Sequence, residues 1–178
     1  YKGQVGKTIY QNIISQATDY VYITTPYLII DYDLTEDIKN AAMRGVDVRI
    51  VTPFIPDKKL IQIVTRGAYP DLMEAGVKIF EYTPGFIHSK NVISDDELAV
   101  IGTINFDYRS LVHHYENAVL MYQTESIADI KQDFEEMFEM HMLSILNSSI
   151  QLYYSIVDHT IYTSSELGVT LANCFALE

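Results

Sequence analysis

Apolar residues recur along the chain with two different periods, and the changes of period mark the elements. From Lys2 to Thr18, Val5, Ile9, Ile13 and Ile14 fall at helical spacing, and the β-branched run VYITT at 21–25 follows as a strand that Pro26 closes. Asp33 is read as the N-cap of a helix LTEDIKNAAMRG, with Glu36 in the first turn, Arg44 in the last and Gly45 as the stop. VDVRIVTP at 46–53 is a buried strand, 57–75 is helix-rich with Gly76 ending it, and VKIFEY at 77–82 is a further strand. Strand and helix thus alternate three times. Helical crossovers of this kind join parallel strands covered on both faces.

The rest of the chain has a different grammar. FIHSKNVIS at 86–94, LAVIG at 98–102 and ENAVLMY at 116–122 are predicted strands with short connections, the first two joined by a tight turn at Asp95-Asp96-Glu97. A final amphipathic helix is expected over 125–143, with Ile127, Ile130, Phe134, Met137 and Phe138 on one face. Beyond it the pattern weakens, although Leu146, Ile150, Tyr153 and Val157 fit one more amphipathic helix. The predicted fold class is α/β, with a mixed, mostly parallel central sheet flanked by helices on both faces. Residues 1–143 are expected to form the domain and 144–178 a tail without a clear turn or capping pattern.

Composition narrows the function classes. At 178 residues and 48% hydrophobic the chain can bury a substantial core. A single cysteine, Cys174, excludes an internal disulfide framework and a thiolate cluster. Twelve basic against twenty-four acidic residues give a formal charge of −12, which repels polyanions and argues against extended nucleic-acid binding. No apolar run is long enough to span a bilayer. The first residue is Tyr1 rather than Met, so a longer protein is expected, with a possible membrane anchor outside this stretch.

Candidate chemistry concentrates between Phe86 and Asn105. Two residues apart in a strand-like run, His88 and Lys90 are expected to share a sheet face, with Asn105 brought back towards them by the second strand. On its own the pair also fits a solvated polar couple on an open strand face. Gly102, Thr103, Asn105, Asp107, Arg109 and Ser110 follow in one short segment, a donor-rich stretch suited to phosphate oxygens. A compact site for a negatively charged group is the result.

The spacing His88-x-Lys90, Asp95, Gly102-Thr103-x-Asn105, with FDYRS and Glu116 beyond it, resembles the signature of the phospholipase D superfamily. The flanking text VYITTPYLI, AAMRGVDVRIVTP and EAGVKIFEYTPGFIHSK is similar to bacterial cardiolipin synthases, over roughly Gly3 to Met140. This resemblance implies an enzyme that uses no metal or other cofactor. One histidine attacks a phosphodiester to form a phosphohistidine, and a second protonates the leaving alcohol. By the same resemblance His88, Lys90, Asn105 and Glu116 are the catalytic set. Lys90, Thr103, Asn105 and Arg109 hold the phosphate, Glu116 orients a histidine ring, and Asp95 and Gly102 are structural. Tyr27, Leu28 and Phe86 are candidates for the pocket mouth, with burial in the core the commoner fate of such residues.

One departure matters. The superfamily's site takes two such motifs and this sequence holds one, since His113, His114, His141 and His159 lack a lysine two residues on. The chain therefore resembles the C-terminal half of a cardiolipin synthase, in which the histidine is given the acid/base role. The implied substrate is phosphatidylglycerol at a bacterial cell membrane, and the implied partner is an N-terminal half or a second copy that brings the other motif. Two alternatives stay open: a homodimeric phosphodiesterase or nuclease, and an inactive fragment that only binds phospholipid headgroups or a missing half.

Overall fold

Branched aliphatic and aromatic residues at consecutive positions, buried on both sides, define the centre of the molecule. In this computed structural model residues 4–139 are described with their side chains, and 141–146, 151–155 and 160–163 by their backbone. The chain runs α1 (Val5–Gln16), β1 (Tyr20–Thr24), β2 (Leu28–Ile29), α2 (Tyr32–Met43), β3 (Asp47–Pro53), α3 (Lys59–Gly67), α4 (Tyr69–Glu74) and β4 (Lys78–Tyr82). It continues with β5 (Asn91–Ser94), β6 (Leu98–Gly102), β7 (Phe106–Asp107), α5 (Tyr108–Val112), β8 (Ala118–Tyr122), α6 (Ser126–Glu139), β9 (His141–Leu146), β10 (Gln151–Ser155) and β11 (Thr160–Thr163).

One mixed sheet has the order β11-β10-β9-β4-β3-β1-β5-β6-β8, and β2 pairs with β7 separately. Side chains alternate across it. Val21 and Ile23 of β1 join Val48, Ile50, Ile79, Val92 and Val100 under α1, α2 and α4, through Tyr10, Ile14, Leu34, Ile38 and Leu72. Tyr20 and Tyr22 point the other way, with Val51, Phe80 and Ile93, against Ile127, Ile130, Phe134 and Phe138 of α6. The expected mixed sheet with helices on both faces is thus present. Parallel pairing, however, is confined to β1 with β3 and β3 with β4, and the other pairings of this sheet are antiparallel. The parallel part is the centre of the sheet and not its majority, because hairpins extend both flanks.

Several expected boundaries move for local reasons. The N-cap of α2 is Asp31, whose side chain accepts from Leu34 N at 3.1 Å, and not Asp33. Asp33 instead shares the buried ammonium of Lys7 with Asp31, at 3.0 and 2.7 Å. The strand expected from Phe86 begins only at Asn91, because β1, its ladder partner, ends at Thr24 and Pro26 cannot extend it. The helix expected to reach 143 stops at Glu139, and His141–Leu146 pairs antiparallel with the open edge of β4. Backbone groups on that edge outcompete the local helical spacing. The further helix expected through Leu146 and Tyr153 is replaced by β9 and β10, while Ile150 and Val157 lie outside the described residues.

Candidate active site

Register places the motif. β1 ends where β5 begins, with Thr24 opposite Asn91; β6 ends beside it, with Asn91 opposite Ile101; and β8 begins opposite that end, with Gly102 facing Ala118. Residues 86–90 before β5, 103–105 after β6 and 116 before β8 therefore gather at one edge of the sheet. This is the edge formed by the carboxyl ends of β1, β3 and β4, where open α/β sheets usually bind ligands.

Two threonines at the end of β1 anchor both parts of the motif. Thr24 Oγ1 accepts from Asn91 N at 3.0 Å and from Ser89 Oγ at 3.1 Å, and Thr25 Oγ1 accepts from Phe106 N at 3.1 Å. Tyr10, stacked on Phe106 with ring centroids 4.4 Å apart, donates its hydroxyl to Ile104 O at 2.8 Å. Asn105 is thus held between two buried neighbours. These anchors carry no motif of their own; consecutive threonines between a buried strand and a proline were their only trace in the sequence.

His88 and Lys90 do not share a ladder face as expected, because 86–90 is irregular. The His88 ring is exposed and lies 5.4 Å from the Phe86 ring, centroid to centroid. Lys90 is 8% exposed and its Nζ donates to the carbonyl oxygen of His88 at 2.5 Å. Partial desolvation by the surrounding chain, with the charge of Lys90 second, holds the His88 pKa below its ordinary value, and Asp57 opposes this. Burial also lowers the Lys90 pKa, against the attraction of Glu116 and Asp107. The ammonium is a partly desolvated cation beside an imidazole whose pKa is held below its ordinary value. That combination suits a phosphate group on Lys90 and a proton exchange or nucleophilic attack at His88.

Asn105 Nδ2 donates to Ser110 Oγ at 2.9 Å, and its Oδ1 is buried with no hydrogen-bond partner among the described residues. Ser110 is in turn fixed by Asp107, the N-cap of α5, which accepts from Ser110 N at 2.7 Å. Thr103 donates its hydroxyl to Glu116 Oε2 and accepts from Asn117 N at 3.0 Å. Glu116 lies in the loop before β8 and not on the predicted strand. His114 Nδ1 is 3.4 Å from Glu116 Oε1, and His114 Nε2 accepts from Arg109 Nε at 2.8 Å. Arg109, exposed on α5, is therefore engaged with His114.

Asp95 sits at the opposite edge of the sheet, beyond Ser94. Its carboxylate accepts from Thr18 N, Asp19 N and Tyr20 N at 2.8, 3.0 and 2.9 Å, tying the turn to the start of β1. Asp95 and Asp96 have φ of 54° and 57°, the left-handed central pair of the turn that Glu97 N closes by donating to Ser94 O at 3.0 Å. Of the mouth candidates, Leu28 is fully buried, Tyr27 donates its hydroxyl to Asp57 at 2.7 Å, and Phe86 is exposed beside His88. A cleft of about 420 Å³ opens at His88 between the 82–91 segment and α6. Among the described residues no group of three or more His, Cys, Asp or Glu side chains is placed to hold a metal ion.

The profile of the family described as "Cardiolipin synthase, PLD-like domain" matches residues 10–138. An uncharacterised protein of Streptococcus mutans is 55% identical over 133 residues, covering 75% of this chain and 29% of that protein. A cardiolipin synthase of Halalkalibacterium halodurans is 42% identical over 131 residues, covering 74% and 26%. The chain thus spans between a quarter and a third of the length of these relatives. In fold it is similar to Nuc of Salmonella typhimurium, a phospholipase D family member, with a TM-score of 0.67 at 18% identity, covering 76% of this chain and 88% of that one. NucT of Helicobacter pylori gives 0.61 at 23% identity, covering 78% and 91%.

Proposed function

The chain belongs to the family described as cardiolipin synthase, PLD-like domain, and from that premise we propose that it supplies half of the active site of a phosphatidyltransferase. The reaction makes cardiolipin and glycerol from two phosphatidylglycerols at a membrane surface. In the first step a histidine nitrogen of the other half attacks phosphorus, the bond from phosphorus to the glycerol oxygen breaks, and His88, protonated at that stage, gives that oxygen its proton. In the second step the neutral His88 takes the proton from the terminal hydroxyl of another phosphatidylglycerol. That oxygen attacks phosphorus and the phosphorus–nitrogen bond breaks. Lys90 and the free amide hydrogen of Asn105 bind the non-bridging oxygens, and Thr103 holds Glu116, the acceptor for a histidine ring across the assembled site.

The observation that carries this proposal is the nearly buried Lys90 ammonium at the carbonyl oxygen of His88, on the sheet edge that also holds Asn105. An anion is the group such a cation attracts most strongly. Among the described residues no helix is long and apolar enough to cross a membrane. The test is His88→Ala in the full-length protein with phosphatidylglycerol vesicles. Cardiolipin formation is expected to fall at least about a thousandfold; turnover near wild type removes His88 from the mechanism.

A second reading follows from the one motif in this sequence and the fold shared over 88% and 91% of two solved chains. In it, two copies of the chain would face each other as a phosphodiesterase. Sedimentation separates the two: a monomer at micromolar concentration rules out the self-completed site.

A further inference from the structure

The cleft beside His88 has walls of opposite character. The 82–91 segment contributes Phe86, His88 and Asn91, and α6 contributes Asp133, Glu136 and Met137. Its volume of about 420 Å³ is within the range of small-molecule sites, roughly 300–1,000 Å³. Lys90 and Asn105 do not line it. Asp133 and Glu136 are exposed on α6, and Glu136 Oε1 already accepts from Gln132 Nε2 at 3.0 Å, which steadies the carboxylate on the helix.

We propose that this cleft is the alcohol subsite, binding the glycerol group that leaves in the first step and the glycerol headgroup that enters in the second, with Asp133 and Glu136 as its specificity-determining residues. The inference rests on the acid/base role given to His88 above. A group that protonates the leaving oxygen lies within hydrogen-bond reach of it, so the leaving alcohol occupies space that His88 lines. The cleft is that space. Two carboxylates repel the phosphodiester and favour hydroxyl donors, so the charge pattern divides the substrate: phosphate towards Lys90, polyol towards α6. Because the leaving and the entering group are both glycerol, one subsite serves both half-reactions. Phe86 and Met137 give the carbon skeleton an apolar wall that limits competition from water.

The experiment uses the full-length protein, running cardiolipin plus glycerol back to two phosphatidylglycerols, with free glycerol as the probe. Asp133→Ala/Glu136→Ala is compared with Glu139→Ala, which removes an exposed acid of the same helix outside the cleft. Alanine at exposed helical positions preserves α6. The double variant is expected to raise the KM for glycerol about tenfold, with the share of phosphatidic acid rising as water replaces the alcohol, while Glu139→Ala matches wild type. An unchanged KM and product share in the double variant, or equal shifts in both variants, overturns the subsite and leaves phosphatidyl transfer standing. Preferential transfer to ethanolamine, abolished in the double variant, overturns the polyol assignment in favour of an amine. Absence of any phosphatidyl transfer by the wild-type protein removes the reaction itself, and the subsite with it.

Discussion

The ammonium of Lys90 lies 2.5 Å from the carbonyl oxygen of His88, so the cation of the motif is held by the backbone of the residue whose ring it influences. Partial desolvation and then this charge keep the His88 imidazole below its ordinary pKa of 6.5. The unfolded chain takes up its proton near that value and the native one only at lower pH. In that window the unfolded state binds more protons, and stability falls as pH drops. Lys90→Met is expected to move the His88 titration upward while leaving the contribution of desolvation. Imidazole resonances followed by NMR between pH 4 and 8 check this, and an unmoved or lowered titration refutes the coupling.

Thr103 joins the end of β6 to Glu116 through its hydroxyl. Serine retains that donor and valine does not. Thr103→Ser is therefore expected to keep most of the proposed cardiolipin-forming activity of the full-length protein, and Thr103→Val to lose about tenfold or more in kcat by freeing the carboxylate. Equal activity of the two variants would show that Glu116 needs no such support.

Asp95 acts far from His88, by closing the loop between α1 and β1. Burial alone would raise its pKa, but the donors from Tyr20, Thr18 and Asp19 outweigh this and hold it below the ordinary 3.8. Its contribution is present above that value and is lost as pH falls through the lowered one. Asp95→Ala is expected to destabilise the fold by about 2 kcal/mol in urea unfolding at pH 7. The deficit relative to wild type should shrink below pH 3.8; a constant deficit down to pH 2 contradicts the hydrogen-bonding account.

Gly102 is required by contact and not by backbone angle. A Cβ built there would lie 2.2 Å from Asn117 O and 2.5 Å from Ala118 Cα, both backbone atoms of the neighbouring segment. β6 and β8 can stay paired only without it. Gly102→Ala is expected to cost about 3 kcal/mol or more and to lower the unfolding midpoint in urea. A variant as stable as wild type would mean that β8 moves away freely.

Much of this was legible in local text. Alternating apolar runs and helix stops marked the central strands and α1, α2 and α6, because both faces of β1, β3 and β4 are buried and Gly45 and Gly76 take positive φ at the helix ends. The motif spacing pointed to the phosphate chemistry. What local text could not carry was competition between distant groups. Backbone donors and acceptors on the edge of β4 end α6 at Glu139 and draw the next residues into a strand. Two threonines at the end of β1 hold pieces of chain 65 and 81 positions away.

The sequence alone determined which residue types the candidate site holds, a histidine, a lysine and an asparagine whose spacing resembles the phospholipase D signature and by that resemblance implies a phosphodiester. Only the tertiary structure decided how they meet. It buries Lys90 while leaving His88 exposed, engages Arg109 with His114, and sets α6 with Asp133 and Glu136 across a cleft from His88. The physical reason is that burial and charge pairing depend on strand register and helix placement. These are set by contacts between residues far apart in the chain.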